Sequence, residues 1–521
     1  MKTRKKIIIT AAILFMAAAV TAIAVMIKPT ASFGGQMSVY QMRRDFKYFK
    51  NVIENGLTDI SSYEQAYDTD ISEMLDSYYN MIDSGTDEYE FYCILTSAFS
   101  MIPSIHTELP FPDYDSYSRG VYNSSVLDDA RSSADIWKNI LIDRISEADE
   151  KTFIGFEYTG GEYLSADAST HDNIGVLRSV SGINADEFAA ECSSVYKMKF
   201  DRISNKKYRE MLVFMIDDTS SDSITVEYEN GEKTYNVRFG TEYELPMLYS
   251  YLLDEPENSD HEEQISSFYA DDGSVGYIEL TDLSMHNDKK ISEMLEKLSS
   301  ARSLIIDLRR NRGGSILYLE NNIYPFIFKN DHELSLTAYM KSSRVNNRIF
   351  NNKEYLADAW GFEKANEIPS VFPEGDYYIS RENEYFFGRR ESECDLYFLV
   401  SGNTLSAADR LAHIGRENGE ATLIGNNTGG EGLGSMAFTD RLPESGLIFT
   451  YMPTAALNSS WISNGAYGTS PDVYCELTKS GYSDFLELID LGDDPYTYEN
   501  RLKWDSVLIK TLEMIEEGKS E

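Results

Sequence analysis

The stretch SVGYIELTDLSMHNDKKISEMLEKLSSARSLIIDLRRNRGGS, Ser274 to Ser315, decides the fold. It opens on an apolar strand, VGYIEL, passes through an amphipathic helix, KKISEMLEKLSSA, and returns to a second apolar strand, SLIIDL. Continuous apolar strands alternating with amphipathic helices predict an α/β domain whose sheet is covered on both faces. Farther along, the same alternation continues in DLYFLV, the helix after Ser406, ATLIG and LIFTYMPTAA, and the C-terminal YSDFLELIDL and WDSVLIKTLEMIEEG read as helices. No fixed-period repeat stands out.

Upstream the pattern changes twice. From Lys151 to Gly240 short alternating runs, TFIGFEYTGGEYL, IGVLRSVSGI and SITVEYENGEKTYNVRFG, predict a β-rich module with a hairpin at ENGEK and one helix from Ala185 to about Met198. An acidic link, LDEPENSDHEEQ, separates it from the α/β region. From Met37 to about Met101 the pattern is helical: Val39, Met42, Phe46, Phe49, Val52 and Ile53 recur at three- and four-residue steps, with Gly56 as a stop, and ISEMLDSYYNMI and EYEFYCILTSAFSMI follow.

The first residues, MKTRKKIIITAAILFMAAAVTAIAVMIKPTASFGG, place cationic groups before an uncharged run from Ile7 to Ile27. That run is long enough to span a bilayer, and the Lys and Arg bias puts the bulk of the chain outside the cytoplasm. A cleaved signal peptide ending near Ala22-Ile23-Ala24 is the alternative. A formal charge of −39 argues against nucleic-acid partners. Cys93, Cys192, Cys394 and Cys475 lie far apart without metal-knuckle spacing, so no metal and no cofactor is expected, and Cys93 reads as a buried free thiol.

Three places carry more than packing requires. In SLIIDLRRNRGGS a buried strand runs through Asp307, Arg309 and Asn311 into Gly313-Gly314, where backbone amides can approach a ligand closely, although paired glycines also make ordinary turns. In VSGNTLSAADRLAHIGRENG, Val400 to Gly419, Ser406 stands between a strand and a helix, at the edge where α/β sheets bind ligands. The same residues also read as a plain N-cap. LIGNNTGGEGLG, Leu423 to Gly434, adds a glycine-rich loop that lacks the Gly-Lys-Ser/Thr ending of a nucleotide site.

In this order, YIEL, IIDLRRNRGG, FLVSGNTLSAAD, GNNTGGEGLG and GTSPDVYCE resemble the tail-specific (C-terminal-processing) serine protease family, in its histidine-using, tricorn-core-like branch, over roughly Tyr277 to Glu476. The resemblance implies a ClpP/crotonase-like α/β catalytic core, with Ser406 as nucleophile and Gly313, Gly314 and Ala407 as oxyanion-hole donors. It makes His106, in FSMIPSIHTELPF, the general base, and it puts a PDZ-like substrate-binding domain at the β-rich module. The implied organisation is a signal-anchor and linker over 1–36, a helical unit over 37–150, the PDZ-like module over 151–242, the catalytic domain over 268–480 and C-terminal helices over 481–521.

Two departures matter. Where the lysine-dyad branch carries its activating lysine, TGGEG has Glu431, a much weaker base than a desolvated lysine, which leaves histidine as the base. The glutamate that the histidine branch carries before Gly-x-x-Pro-Asp is replaced by Asn464 or Gly465, so Glu431 or Asn464 is the candidate to orient His106. His413, seven residues beyond Ser406 and therefore about 10.5 Å along a helix, reads as structural. His171, His261, His286 and His332 lie in polar, loop-like sequence. The expected function is extracytoplasmic, membrane-anchored serine endopeptidase activity on polypeptides through an acyl-enzyme. The alternative is an inactive relative that binds peptides at the cell surface.

Overall fold

Alternate residues of the apolar strands feed two separate cores, and this sorting builds the central sheet. In the computed structural model six strands lie in the order β10-β11-β12-β16-β17-β21. They are β10 (Ser267–Tyr269), β11 (Val275–Glu279), β12 (Ser303–Asp307), β16 (Asp395–Val400), β17 (Ala421–Gly425) and β21 (Val473–Tyr474). All pair in parallel except β10. Ile278, Leu304, Ile306, Phe398 and Leu423 point into one core, with the helix that follows Ser406. Tyr277, Ile305, Leu399 and Ile424 point into the other, against the C-terminal helix Ser506–Gly518. Both faces are thus covered, as the continuous apolar strands predict.

The structure describes residues 33–112, 114, 124–146, 152–165, 175–192, 196–216, 223–229, 231–237, 267–269, 273–283, 288–350, 361–390, 393–434 and 437–518. The expected anchor, the acidic link, His171, His261 and His286 lie outside the described residues. Among the described residues no helix is long and apolar enough to cross a membrane.

Four helices open the described chain: α1 (Val39–Gly56), α2 (Ile60–Tyr67), α3 (Ile71–Met81) and α4 (Glu88–Ser100). Ser38 and Gln41 form a capping box that starts α1. Gly56, expected as a stop, is instead its last helical residue, and a Cβ there would meet the Tyr451 ring at 2.7 Å. The helices share one core with Phe438, Phe449, Tyr451 and Met452 of the hairpin β18 (Phe438–Arg441) and β19 (Ile448–Tyr451). That shared core brings the opening helices against the β18–β19 hairpin. A long helix within the expected helical unit, α5 (Ser124–Ser146), is tied to the turn before β19 by Trp137, whose indole N–H donates to the Ser445 carbonyl at 3.0 Å.

The β-rich segment, with β1 (Thr152–Thr159), β2 (Glu162–Ser165), β3 (Leu177–Val180), β4 (Ile183–Asn184) and β7 (Met211–Ile216), forms small antiparallel sheets in which β1 lies between β2 and β7 and β3 between β4 and the strand Ser223–Tyr228, beside the hairpin β5 (Lys199–Asp201) and β6 (Lys206–Tyr208). The ENGEK turn joins β8 (Ser223–Tyr228) to β9 (Gly231–Asn236) as expected. The helix begun at Ala185 ends at Glu191, shorter than the reading to Met198, because Met198 already leads into β5. Two contacts fix this segment against the core. Lys199 Nζ donates to the Gly402 carbonyl at 3.1 Å, and the Asn426 amide bridges Asp201 at 2.9 Å and Glu476 at 2.7 Å.

A second, four-stranded sheet, with β14 (Glu363–Lys364) at one edge and β20 (Thr454–Leu457) at the other, escaped the sequence reading. Its centre pairs β13 (His332–Lys341) with β15 (Tyr377–Phe386) over ten positions. His332 therefore heads a strand, and its Nε2 lies 3.0 Å from the Glu420 carboxylate, contrary to its expected place in a partnerless loop.

Candidate active site

Ser406 is the N-cap residue of α6 (Ala407–Glu417), yet its side chain makes no capping hydrogen bond. Its backbone is left-handed, φ 52° and ψ −122°, a conformation that costs a non-glycine residue about 1–3 kcal/mol and persists only where the surroundings impose it. Here they do so from both sides. The Ser406 N–H donates to the Gly430 carbonyl and the Leu405 N–H to the Asn311 carbonyl, both at 3.0 Å, while the Thr404 hydroxyl donates to the Leu308 carbonyl at 2.8 Å. The Ser406 turn is wedged between the Gly313-Gly314 turn and the glycine-rich loop.

Gly313 and Gly314 are both left-handed, φ 104° and 142°. A Cβ on Gly313 would lie 2.8 Å from the Ser406 Cβ, and one on Gly314 would lie 2.4 Å from the Leu283 carbonyl oxygen. Their donors differ. The Gly313 N–H is committed to Asn311 Oδ1 at 2.8 Å, so Gly313 is corrected from oxyanion donor to close-approach residue. The amides of Gly314 and Ala407 have no protein acceptor among the described residues and remain available to a ligand. Asn311, wholly buried and bound also to the Leu280 carbonyl, holds the turn.

Asp307 and Arg309 are structural. Arg309 bridges Asp307 to Asp505 at the foot of the C-terminal helix, with 2.9 Å and 2.8 Å bonds. Burial would raise the Asp307 carboxyl, but the Arg309 and Arg501 guanidinium groups outweigh it and hold the group well below the usual carboxylate range.

His106 follows α4 on a loop sewn to β19. Its carbonyl accepts from the Thr450 hydroxyl at 2.8 Å, and Glu108 and Thr450 exchange backbone bonds at 2.9 and 3.2 Å. Thr107 anchors the loop through its hydroxyl, which accepts from the Met452 N–H at 3.2 Å. Lys197 closes it from the module side, donating to the carbonyls of Phe99 at 2.8 Å, Ile102 at 3.0 Å and Thr107. Burial lowers this amine to about 8 against the raising charges of Glu108 and Glu431.

Glu431, left-handed at φ 59°, is buried and turned toward His106. Its Oε2 accepts the His106 N–H at 3.0 Å and lies 4.0 Å from the imidazole Nε2, while Oε1 accepts the Tyr63 hydroxyl at 2.5 Å. The second distance is an ion-pair contact rather than a hydrogen bond, and such relays tighten when substrate binds. One loop thus touches both partners: Gly430 takes the Ser406 amide and Glu431 the His106 amide.

Asn464 does not reach the imidazole. Its amide is spent on Asp409 Oδ2 at 2.9 Å and on the Leu433 N–H at 3.2 Å. Asp409, three residues after Ser406, was overlooked in the sequence because SAAD reads equally well as a capping box. Wholly buried, it accepts from the hydroxyls of Thr428 and Thr469, from Asn464 and from the Gly432 N–H. It locks the glycine-rich loop to α6. Asp409→Ala should therefore strand four donors and cost about 3–5 kcal/mol in urea denaturation, and a loss below about 1 kcal/mol would contradict this. His413 is buried in α6, and burial pushes its ring down, in keeping with a structural role. Among the described residues no cluster of His, Cys, Asp or Glu could hold a metal ion.

Residues 274–475 match the model of peptidase family S41. Those residues form a peptidase S41 domain. The chain is accordingly a serine peptidase. This S41 peptidase is similar to a CPAF mutant, 13% identical over 87% of this chain and 96% of that one, with a TM-score of 0.51. Mature CPAF bound to lactacystin gives 13% identity, 87% and 97% coverage and a TM-score of 0.49. The photosystem II D1 C-terminal processing protease gives 13%, 83% and 93%, and 0.37. At these identities the likeness concerns the fold alone. No curated protein sequence matches.

Proposed function

We propose that this S41 peptidase is an endopeptidase in which Ser406 attacks the peptide carbonyl and His106 takes its proton and returns it to the leaving amine. Glu431 orients the imidazole, and the Gly314 and Ala407 amides receive the oxyanion. The observation that carries this reading is the left-handed Ser406, whose hydroxyl does no capping while its backbone is held beside two uncommitted amides. The module over 151–242 serves as a PDZ-like holder of the substrate chain. Modification by a fluorophosphonate probe tests the reading: stoichiometric labelling at Ser406 is expected, and an unlabelled, folded protein would leave a peptide-binding relative instead.

The uncharged run Ile7–Ile27 behind its cationic start supports an anchor with the catalytic part outside the cytoplasm. The protein should then fractionate with membranes and be degraded by protease added to intact cells. A mature N-terminus just after Ala24, with release into the medium, would refute the anchor.

A further inference from the structure

The carboxylate that the family resemblance leads one to expect at position 464 or 465 is missing, and the space there is filled from elsewhere. A Cβ on Gly465 would meet the Tyr63 hydroxyl at 2.7 Å, Asp59 Oδ2 at 3.2 Å and Glu431 Cγ at 3.5 Å. Two acidic side chains and a phenol therefore converge where one glutamate would have stood. Asp59 is 2% exposed, Tyr63 1%, and the Glu431 side chain 3%. Asp59 occupies the N-cap position of α2 but makes no capping bond. Its carboxylate is turned inward, where it accepts from the Ser463 hydroxyl. Aspartate at an N-cap normally contributes about 1 kcal/mol by bonding the first helical amides, and this one forgoes that.

We propose that Asp59 and Tyr63 are positioning residues of the relay: Tyr63 clamps Glu431, and the charge state of Asp59 behind it sets the proton affinity of the His106 ring. This rests on the reading of His106 and Glu431 as relay partners. Asp59 Oδ2 and Glu431 Cγ lie 3.2 and 3.5 Å from one point above Gly465 in a buried site, so a charge on Asp59 is felt at Glu431 with little solvent screening. Burial, assisted by the Glu431 charge and opposed by the Ser463 bond, lifts Asp59 to about 7. Asp59 faces Glu431 from the glycine-rich loop and Tyr63 from α2. Glu431 in turn faces Tyr63 and Tyr67 on α2, His106, and Lys197 at the module edge. Among the described residues no Lys or Arg forms an ion pair with either acid.

A second negative charge behind Glu431 favours the imidazolium, so removing it weakens the ring as a base. The test follows His106 by NMR in the full protein with isotope-labelled histidine, assigned with His106→Gln among the six histidines of the chain. Asp59→Asn should lower the midpoint of the His106 titration by about 0.3–1 pH unit. Tyr63→Phe, which strips a donor from Glu431 and concentrates its charge, should raise it. Opposite shifts from two neighbouring variants are not produced by general loosening, and Asp59→Ser supplies a second neutral side chain should asparagine not fit. An Asp59→Asn midpoint within about 0.1 unit of wild type would overturn the proposal. Fluorophosphonate labelling of the same wild-type sample tests the catalytic reading separately: its absence removes that reading, while the ring titration still decides the role of Asp59.

Discussion

Ser406→Ala should abolish hydrolysis of an unfolded protein substrate and all fluorophosphonate labelling, with kcat falling by on the order of 10⁵–10⁶-fold. The whole covalent route depends on this hydroxyl, and what survives is the contribution of the oxyanion amides and substrate binding. Stability should change by less than about 1 kcal/mol, because the serine side chain makes no capping bond that alanine would lose. The backbone strain at φ 52° is common to both residues, since neither lacks a Cβ. An alanine variant that still cleaves at the wild-type rate would show that the nucleophile lies elsewhere.

The second large effect is expected at the base. His106→Gln should reduce kcat by about 10³-fold or more, since glutamine accepts a hydrogen bond but cannot take up the serine proton. In the wild type, acid should inactivate the enzyme as the ring becomes cationic, and activity should return on neutralisation, because only the neutral imidazole accepts the proton. Glu431→Gln should cost less than His106→Gln: it keeps the acceptor for the His106 N–H but loses the charge 4.0 Å from the ring. Near wild-type kcat in His106→Gln would sink the relay. Lys197 would not replace it in the present geometry, since its amine is spent on three backbone carbonyls and holds the His106 loop closed.

The commitment of Asn464 to Asp409 and of Gly313 to Asn311 changes what the site is made of. Neither residue is dispensable, but both act by shaping the glycine-rich loop and the serine turn. The ionic chain of Asp307, Arg309 and Asp505 likewise ties the carboxyl end of the sheet to the C-terminal helices. These charged residues near Ser406 are held in ion pairs of the fold.

Much was legible in the sequence because it is written in short windows. Alternation in SLIIDL and DLYFLV determined a doubly covered parallel sheet with a strand-to-helix switch at Ser406, since both follow from side-chain periods of two and 3.6 residues, whereas a nucleophilic role for Ser406 is implied only by the family resemblance. The β13–β15 pair was hidden because YYISRENEYF mixes polar and aromatic residues without a clear period, and its pairing is decided by the partner strand. The contacts of the proposed relay lay beyond any local window. Glu431 meets His106 across 325 positions, and Tyr63 meets Glu431 across 368. Those contacts exist because α1 to α4 bury their apolar faces against the β18–β19 hairpin, which carries the His106 loop to the glycine-rich loop. Sequence alone determined the strands and helices of the central sheet and singled out Ser406. The choice of Glu431 over Asn464, the loss of the Gly313 amide to Asn311 and the inward turn of Asp59 were decided by tertiary packing, because hydrogen-bond partners and desolvation depend on which distant surfaces close over each group.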